Sequence, residues 1–148
     1  MSCVLRILGE NFDVVKFLKK SNLKASTIFL KEEPKFKTKP EGDKLKHSGL
    51  ILVVSDADFD DLSLQIKDTI RFLKKNKKGL QLISKTKEIE YAIIDFGIDL
   101  KIDKKNKLIQ NEFLSNELLK LSGELGFSIE LSIYPKDLEK TLSKKTKK

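Results

Sequence analysis

The chain reads as an α+β protein, a two-layer sandwich in which a mainly antiparallel sheet carries its helices on one face. Three observations predict this. Ala92, Ile94, Phe96, Ile98, Leu100 and Ile102 alternate with Tyr91, Ile93, Asp95, Gly97, Asp99, Lys101 and Asp103, which is the period of a strand with one fully apolar face. Phe127, Ile129, Leu131 and Ile133 alternate in the same way with Ser128, Glu130, Ser132 and Tyr134. Segments with helical spacing are few, and clean alternation means that one sheet face is buried and the other polar.

The elements follow in order. Val4 to Leu8 is a first strand with Arg6 its one polar residue, ended by Gly9-Glu10. Asn11 or Asp13 caps a helix from about Asp13 to Ser21, because Val14, Phe17 and Leu18 then share a face. Thr27 to Leu30 is a short strand. Lys31 to Lys46, with Pro34, Pro40, Gly42 and many lysines, is an exposed loop. Ser48 to Ser55 is apolar on both parities, as suits a central strand covered at least partly on both sides. Asp56 to Asp61 leads into a helix reaching Lys75 with a core stripe of Leu62, Ile66, Ile70 and Leu73. Lys74, Lys75, Lys77 and Lys78 then suit the negative end of its dipole.

Leu80, Leu82 and Ile83 form a short second helix, after a break at Asn76 to Gly79. Beyond the long alternating strand, Lys104 to Lys107 is a turn and Leu108-Ile109 returns as a short strand. Ser115 caps a helix bearing Leu118, Leu121 and Leu125, and Gly126 stands at the left-handed position that stops it. The last strand ends at Pro135. The expected order is β-α-β-β-α-α-β-β-α-β. Residues 1–135 form a single domain, and residues 136–148 a lysine-rich tail, frayed or disordered.

Composition limits the chemistry. There is one histidine, His47, one cysteine, Cys3, and no tryptophan. Cys3 lies in an apolar run, so it reads as a buried inert thiol with no cysteine or histidine partner for a zinc site. His47 has no serine or cysteine nucleophile motif to serve. No glycine fingerprint of the dinucleotide or P-loop type is present. No cofactor and no metal are expected. The longest apolar run, Leu50 to Val54, is far short of the ~20 residues of a membrane helix. These features place the expected protein in a reducing cytoplasm, with no membrane contact.

Asp56, Asp58, Asp60 and Asp61 resemble a cation loop only in part. The sixth position from Asp56 is Asp61 and the twelfth is Lys67, where a calcium loop needs glycine and glutamate. Capping the following helix explains the run without a metal. The net charge of +8 invites a nucleic-acid reading through Lys35, Lys37, Lys39, Lys44, Lys46 and the tail. Only Arg6 and Arg71 are arginines, however, and the phenylalanines sit at apolar positions rather than on stacking platforms.

Quoted motifs carry a resemblance. Gly9-Glu10-Asn11-Phe12-Asp13 follows the first strand, Lys31-Glu32-Glu33-Pro34 opens the loop, Ser48-Gly49 leads a strand, and Glu124 to Tyr134 closes in Ser132-Ile133-Tyr134. This pattern resembles a bacterial family of small proteins catalogued only as a domain of unknown function, and it covers nearly the whole chain apart from the tail. One departure is Glu32, where the family pattern has glycine. The resemblance implies no catalytic residues. By association it implies an immunity or adaptor role. The functional expectation is therefore a non-enzymatic protein-binding module. Its docking surface is the polar sheet face, with Asp95, Asp99, Glu130 and Tyr134 as contact residues and Gly97 marking a bulge or a close backbone approach. The alternatives are nucleic-acid binding and, third, an aspartate-based metal-dependent hydrolase.

Overall fold

The alternating apolar residues assemble one sheet. A computed structural model describes residues 1–103 and 105–135. Its elements are β1 (Cys3–Gly9), α1 (Val14–Ser21), β2 (Thr27–Phe29), β3 (Ser48–Ser55), α2 (Leu62–Lys75), α3 (Lys77–Leu80), β4 (Tyr91–Asp99), α4 (Asn116–Leu125) and β5 (Ser128–Tyr134). The five strands lie in the order β2-β3-β1-β4-β5. β1 pairs antiparallel with both β3 and β4, and β2 pairs antiparallel with β3. β5 runs parallel to β4, since α4 carries the chain back between them. The expected α+β sandwich with a mainly antiparallel sheet is what forms.

Register explains the core. Leu5 stands opposite Leu52 and Ile94, and Ile7 opposite Leu50 and Ala92. All six are buried on the helical side, each large one contributing about 1.5–3 kcal/mol by leaving water. Val14 and Phe17 of α1, Leu62, Ile66 and Leu73 of α2, and Leu118 and Leu125 of α4 close over them. The caps fall as the sequence implies. Asp13 accepts from the Lys16 amide, Asp61 from the Leu64 amide and Ser115 from the Leu118 amide. Gly126 ends α4 at φ 76°.

Several expectations need correction. β4 stops at Asp99, so Leu100 and Ile102 are exposed rather than core residues. The Leu100 amide donates to the Tyr134 carbonyl, and the Lys101 amide donates to Gln110 Oε1, which draws the chain out of the sheet. Leu108-Ile109 makes no return strand; only an isolated Asp103–Lys107 bridge forms there, and both residues are exposed. The β5 residues Leu131 and Ile133 have the right parity, opposite Phe96 and Ile98, but are 36% and 54% exposed. β5 is an edge strand, and the apolar cover over it reaches only Phe127 and Ile129.

β3 is an interior strand, as its two apolar parities imply, with Leu50 and Leu52 buried on one face and Ile51 and Val53 half-buried on the other; the middle strand of the five is β1. Ile70 is half-buried as well; Gln65 and Thr69 take the buried places on α2. The short second helix spans Lys77–Leu80, with Ile83 buried in the turn beyond it. The lysine-rich tail lies outside the described residues.

Candidate functional site

Among the described residues, the helices cover one face of the sheet, and the residues of opposite parity form an open face. Register puts Arg6 beside Ile51 and Ile93, Asp95 beside Glu130, and Asp99 beside Tyr134. The candidate residues Asp95, Asp99, Glu130 and Tyr134 therefore share this face. Around Arg6 the face is apolar: Val4, Leu8, Ile51, Val53 and Ile93 are all half-buried there.

The carboxylates are not free charges. Arg6 Nη2 lies 2.8 Å from Glu130 Oε1 and 3.5 Å from Asp95 Oδ2. Ser132 Oγ donates to Asp95 Oδ1 at 2.7 Å. One guanidinium thus bridges two adjacent strands, which a planar multi-donor head is built to do. The sequence marked Arg6 as the one polar residue of its strand but gave no register to place it against β4 and β5.

Tyr134 has a partner that sequence reasoning missed. Its ring stacks on Phe59 with centroids 5.4 Å apart and planes 30° apart. Phe59 lies over Gly97, where a Cβ would overlap its ring. The close approach at Gly97 is by an aromatic ring rather than by the backbone expected there, and glycine is needed for room. The loop carrying Phe59 is fastened to the sheet. The Asp99 amide donates to the Phe59 carbonyl at 3.0 Å, and Gln65 Nε2 donates to the Asp58 and Gly97 carbonyls at 3.1 and 2.9 Å.

The aspartate run comes near Asp99 through that backbone bond, a proximity the sequence did not place. Its side chains go elsewhere: Asp61 caps α2, and Asp56 Oδ1 lies 3.1 Å from the Met1 amino nitrogen. Among the described residues, no group of three or more His, Cys, Asp or Glu side chains is arranged to hold a metal ion.

The remaining reactive groups have structural surroundings. Cys3 is fully buried, its Sγ 3.5 Å from Thr69 Oγ1, and burial pushes the thiol up to about 12. It is inert as a nucleophile at neutral pH. His47 Nε2 lies 3.5 Å from Glu90 Oε2, with its ring edge-on to Tyr91. Lys31 Nζ donates to Glu10 Oε1 at 2.8 Å, and that bond holds the Glu10 carboxyl below its ordinary value and the lysine above its own. Whatever this exposed pair adds to stability is present above the ordinary glutamate pKa and fades as pH falls through the lowered one.

Comparison of the chain with family models, with curated proteins and with solved structures finds no match.

Proposed function

We propose that this chain is a non-enzymatic module that binds another protein, in the manner of an immunity or adaptor protein, through the open face of its sheet. The observation that carries the reading is the apolar surround of Arg6 on that face, flanked by the Phe59–Tyr134 stack. A rigid sheet with half-buried Val4, Leu8, Ile51, Val53 and Ile93 offers contact area at little ordering cost. Tyr134 is the anchor, because a stacked tyrosine is already held in place before a partner arrives. Asp99 supplies negative charge at the rim, and Asp95 and Glu130 tune it around Arg6, so the partner surface is apolar with a basic edge.

The reading includes a bacterial cytoplasmic setting, in keeping with the motif resemblance and with a single buried thiol that needs no oxidising compartment. The test is affinity capture from the native organism, followed by binding measurements on Tyr134→Ala and Asp99→Lys. Tyr134→Ala is expected to weaken a specific partner by about 2 kcal/mol or more, and Asp99→Lys to slow its association. A specific partner that both folded variants keep at full affinity would overturn this interface.

A further inference from the structure

The helical side carries a charge separation that neither the dipoles nor the proposed docking face explains. Residues 14–30 and 69–87 together hold eleven cations and no carboxylate. The rest of residues 1–135 holds thirteen cations and twenty carboxylates. The fold brings the two basic segments together. α3 packs on the exit of α1, with Gly79 seated so closely on Ser21 and Leu23 that a Cβ would stand 2.5 Å from the Ser21 carbonyl oxygen.

Two grooves adjoin these segments, one at the exit of α1 and one along its length. The first, about 700 Å³, runs between residues 21–23 and residues 74–81. Lys74, Lys75, Lys77 and Lys78 line it together with the Asn22 and Gln81 amides, and no carboxylate does. The second, about 290 Å³, is lined by Lys16, Lys20 and Lys85 together with the carboxylates Asp13 and Glu88 and the buried rings of Phe12 and Phe17.

Helix dipoles account for part of this. Lys19 and Lys20 stand in the last turn of α1, and Lys74 and Lys75 in that of α2. They do not account for Lys16, Lys24, Lys85 and Lys87, which lie outside those turns. Pairing does not account for them either. Lys74 meets Glu117 and Arg71 meets Asp68, but among the described residues the other nine have no carboxylate within 4.0 Å. Six of these nine, Lys16, Lys20, Lys75, Lys77, Lys78 and Lys85, line the two grooves, and holding like charges that close costs self-repulsion, which a polyanion relieves.

We propose that this helical face binds the phosphate backbone of a nucleic-acid duplex without reading its sequence. Lysines are point charges, suited to phosphate contact rather than to forked recognition of bases. Among the described residues no aromatic side chain lines the first groove, and Phe12 and Phe17 in the second are buried, so unpaired bases find no exposed ring to stack on. The groove is concave, and its one large apolar lining residue, Leu23, is buried, which disfavours a lipid surface. α1 has eight residues and is about 12 Å long. The grooves beside it therefore face roughly three to four phosphates of one strand at 3.4 Å axial spacing. This face lies across the sheet from the open face, and the proposal stands or falls independently of that one.

The test is fluorescence anisotropy of the full chain with a labelled duplex of about 20 base pairs, mixed in sequence, across a salt series. Affinity is expected to fall with log salt at a slope of roughly −2.7 to −3.6, from about 0.9 per phosphate contacted. The triple variant Lys75→Glu, Lys77→Glu, Lys78→Glu is expected to lose about tenfold or more at low salt. An independent variant across the other groove, Lys16→Gln, Lys20→Gln, Lys85→Gln, is expected to weaken binding too. Lys35→Glu, Lys37→Glu, Lys39→Glu makes the same charge change as the first triple, but on the β2–β3 arm, and is expected to keep most of the affinity. Circular dichroism melts confirm that each variant is folded. No duplex binding at 50 mM salt overturns the proposal, and so does an arm variant that loses as much as the groove variants. Displacement of the duplex by polyglutamate at equal charge would assign the face to an acidic protein instead. Binding to anionic phosphatidylserine vesicles but not to the duplex would assign it to a membrane.

Discussion

On the open sheet face a single cation, Arg6, stands between Asp95 and Glu130, and each of those carboxylates is within 3.5 Å of it. On the helical face, six lysines from two segments line two grooves without an ion-pair partner among the described residues. Both surfaces come from a chain whose net charge is +8. The difference lies in how the backbone delivers the side chains. Strand register fixes Arg6, Asp95 and Glu130 at neighbouring positions across three strands, so charges of opposite sign meet. The α1–α3 packing gathers segments that each carry one sign, so the charge accumulates. Net charge says nothing about either arrangement; topology decides both.

The largest expected effect separates the two faces of one strand. Ile94 and Ile93 are adjacent, but Ile94 is fully buried under the helices and Ile93 is half-buried on the open face. Ile94→Ala should cost about 2–5 kcal/mol. Ile93→Ala should cost less than about 1.5 kcal/mol, since it is half-solvated already. Leu131→Ala should resemble Ile93→Ala, although its parity is that of the core, because β5 lies at the edge of the apolar cover. Urea midpoints measure all three. Equal losses at Ile93 and Ile94 would mean that the open face is covered and would remove the contrast.

The next effect compares charges directly. Arg6→Met keeps the apolar stem but leaves the mostly buried Asp95 with only Ser132 as a donor. A loss of about 1–3 kcal/mol is expected. Lys77→Met, on the helical face, should change stability by no more than about 0.5 kcal/mol. If the two variants melt alike, the Arg6 bridge is a surface pair of no consequence, and the charge comparison loses its energetic half.

Much of the fold was legible because its signals are local. Asp13, Ser115 and Gly126 act on backbone within one helical turn, so the sequence places them correctly. Alternation in residues 91–99 is visible because every side chain along a strand answers to the same two environments. What failed depends on the limits of the sheet. Leu100, Ile102, Leu131 and Ile133 continue an apolar alternation past the point where a helix covers it, and periodicity carries no information about where cover ends. The candidate face was legible in its parity, hence Asp95, Asp99, Glu130 and Tyr134 together. Its chemistry was not. Arg6 is 124 residues from Glu130 in sequence, and Phe59 reaches Tyr134 from a loop, so only tertiary structure pairs them.

The smallest expected effect tests whether charge alone governs the comparison. Glu32 has φ 70°, a left-handed conformation that costs a side-chain-bearing residue and suits glycine. The position is held by its neighbours: the Glu32 amide donates to the Leu45 carbonyl, and the Leu45 amide donates to the Glu33 carbonyl, closing the base of the arm. Glu32→Gly should therefore stabilise the protein by about 0.5–1 kcal/mol, the relief of strain exceeding the entropy that glycine adds to the unfolded chain. For a chain of this size that is a rise in Tm of roughly 2–4 °C. Glu32→Gln removes the same charge but keeps the strain, so it should leave Tm nearly unchanged. Both variants also make the lysine-rich arm more basic by one charge. If duplex binding belongs to the helical face, neither should tighten it by more than about twofold, because the arm's charges stand outside the groove contacts. A marked gain in affinity in both variants would shift the nucleic-acid contact to the arm, and a gain in Tm in both would show that the Glu32 charge, not its backbone, was the destabilising element.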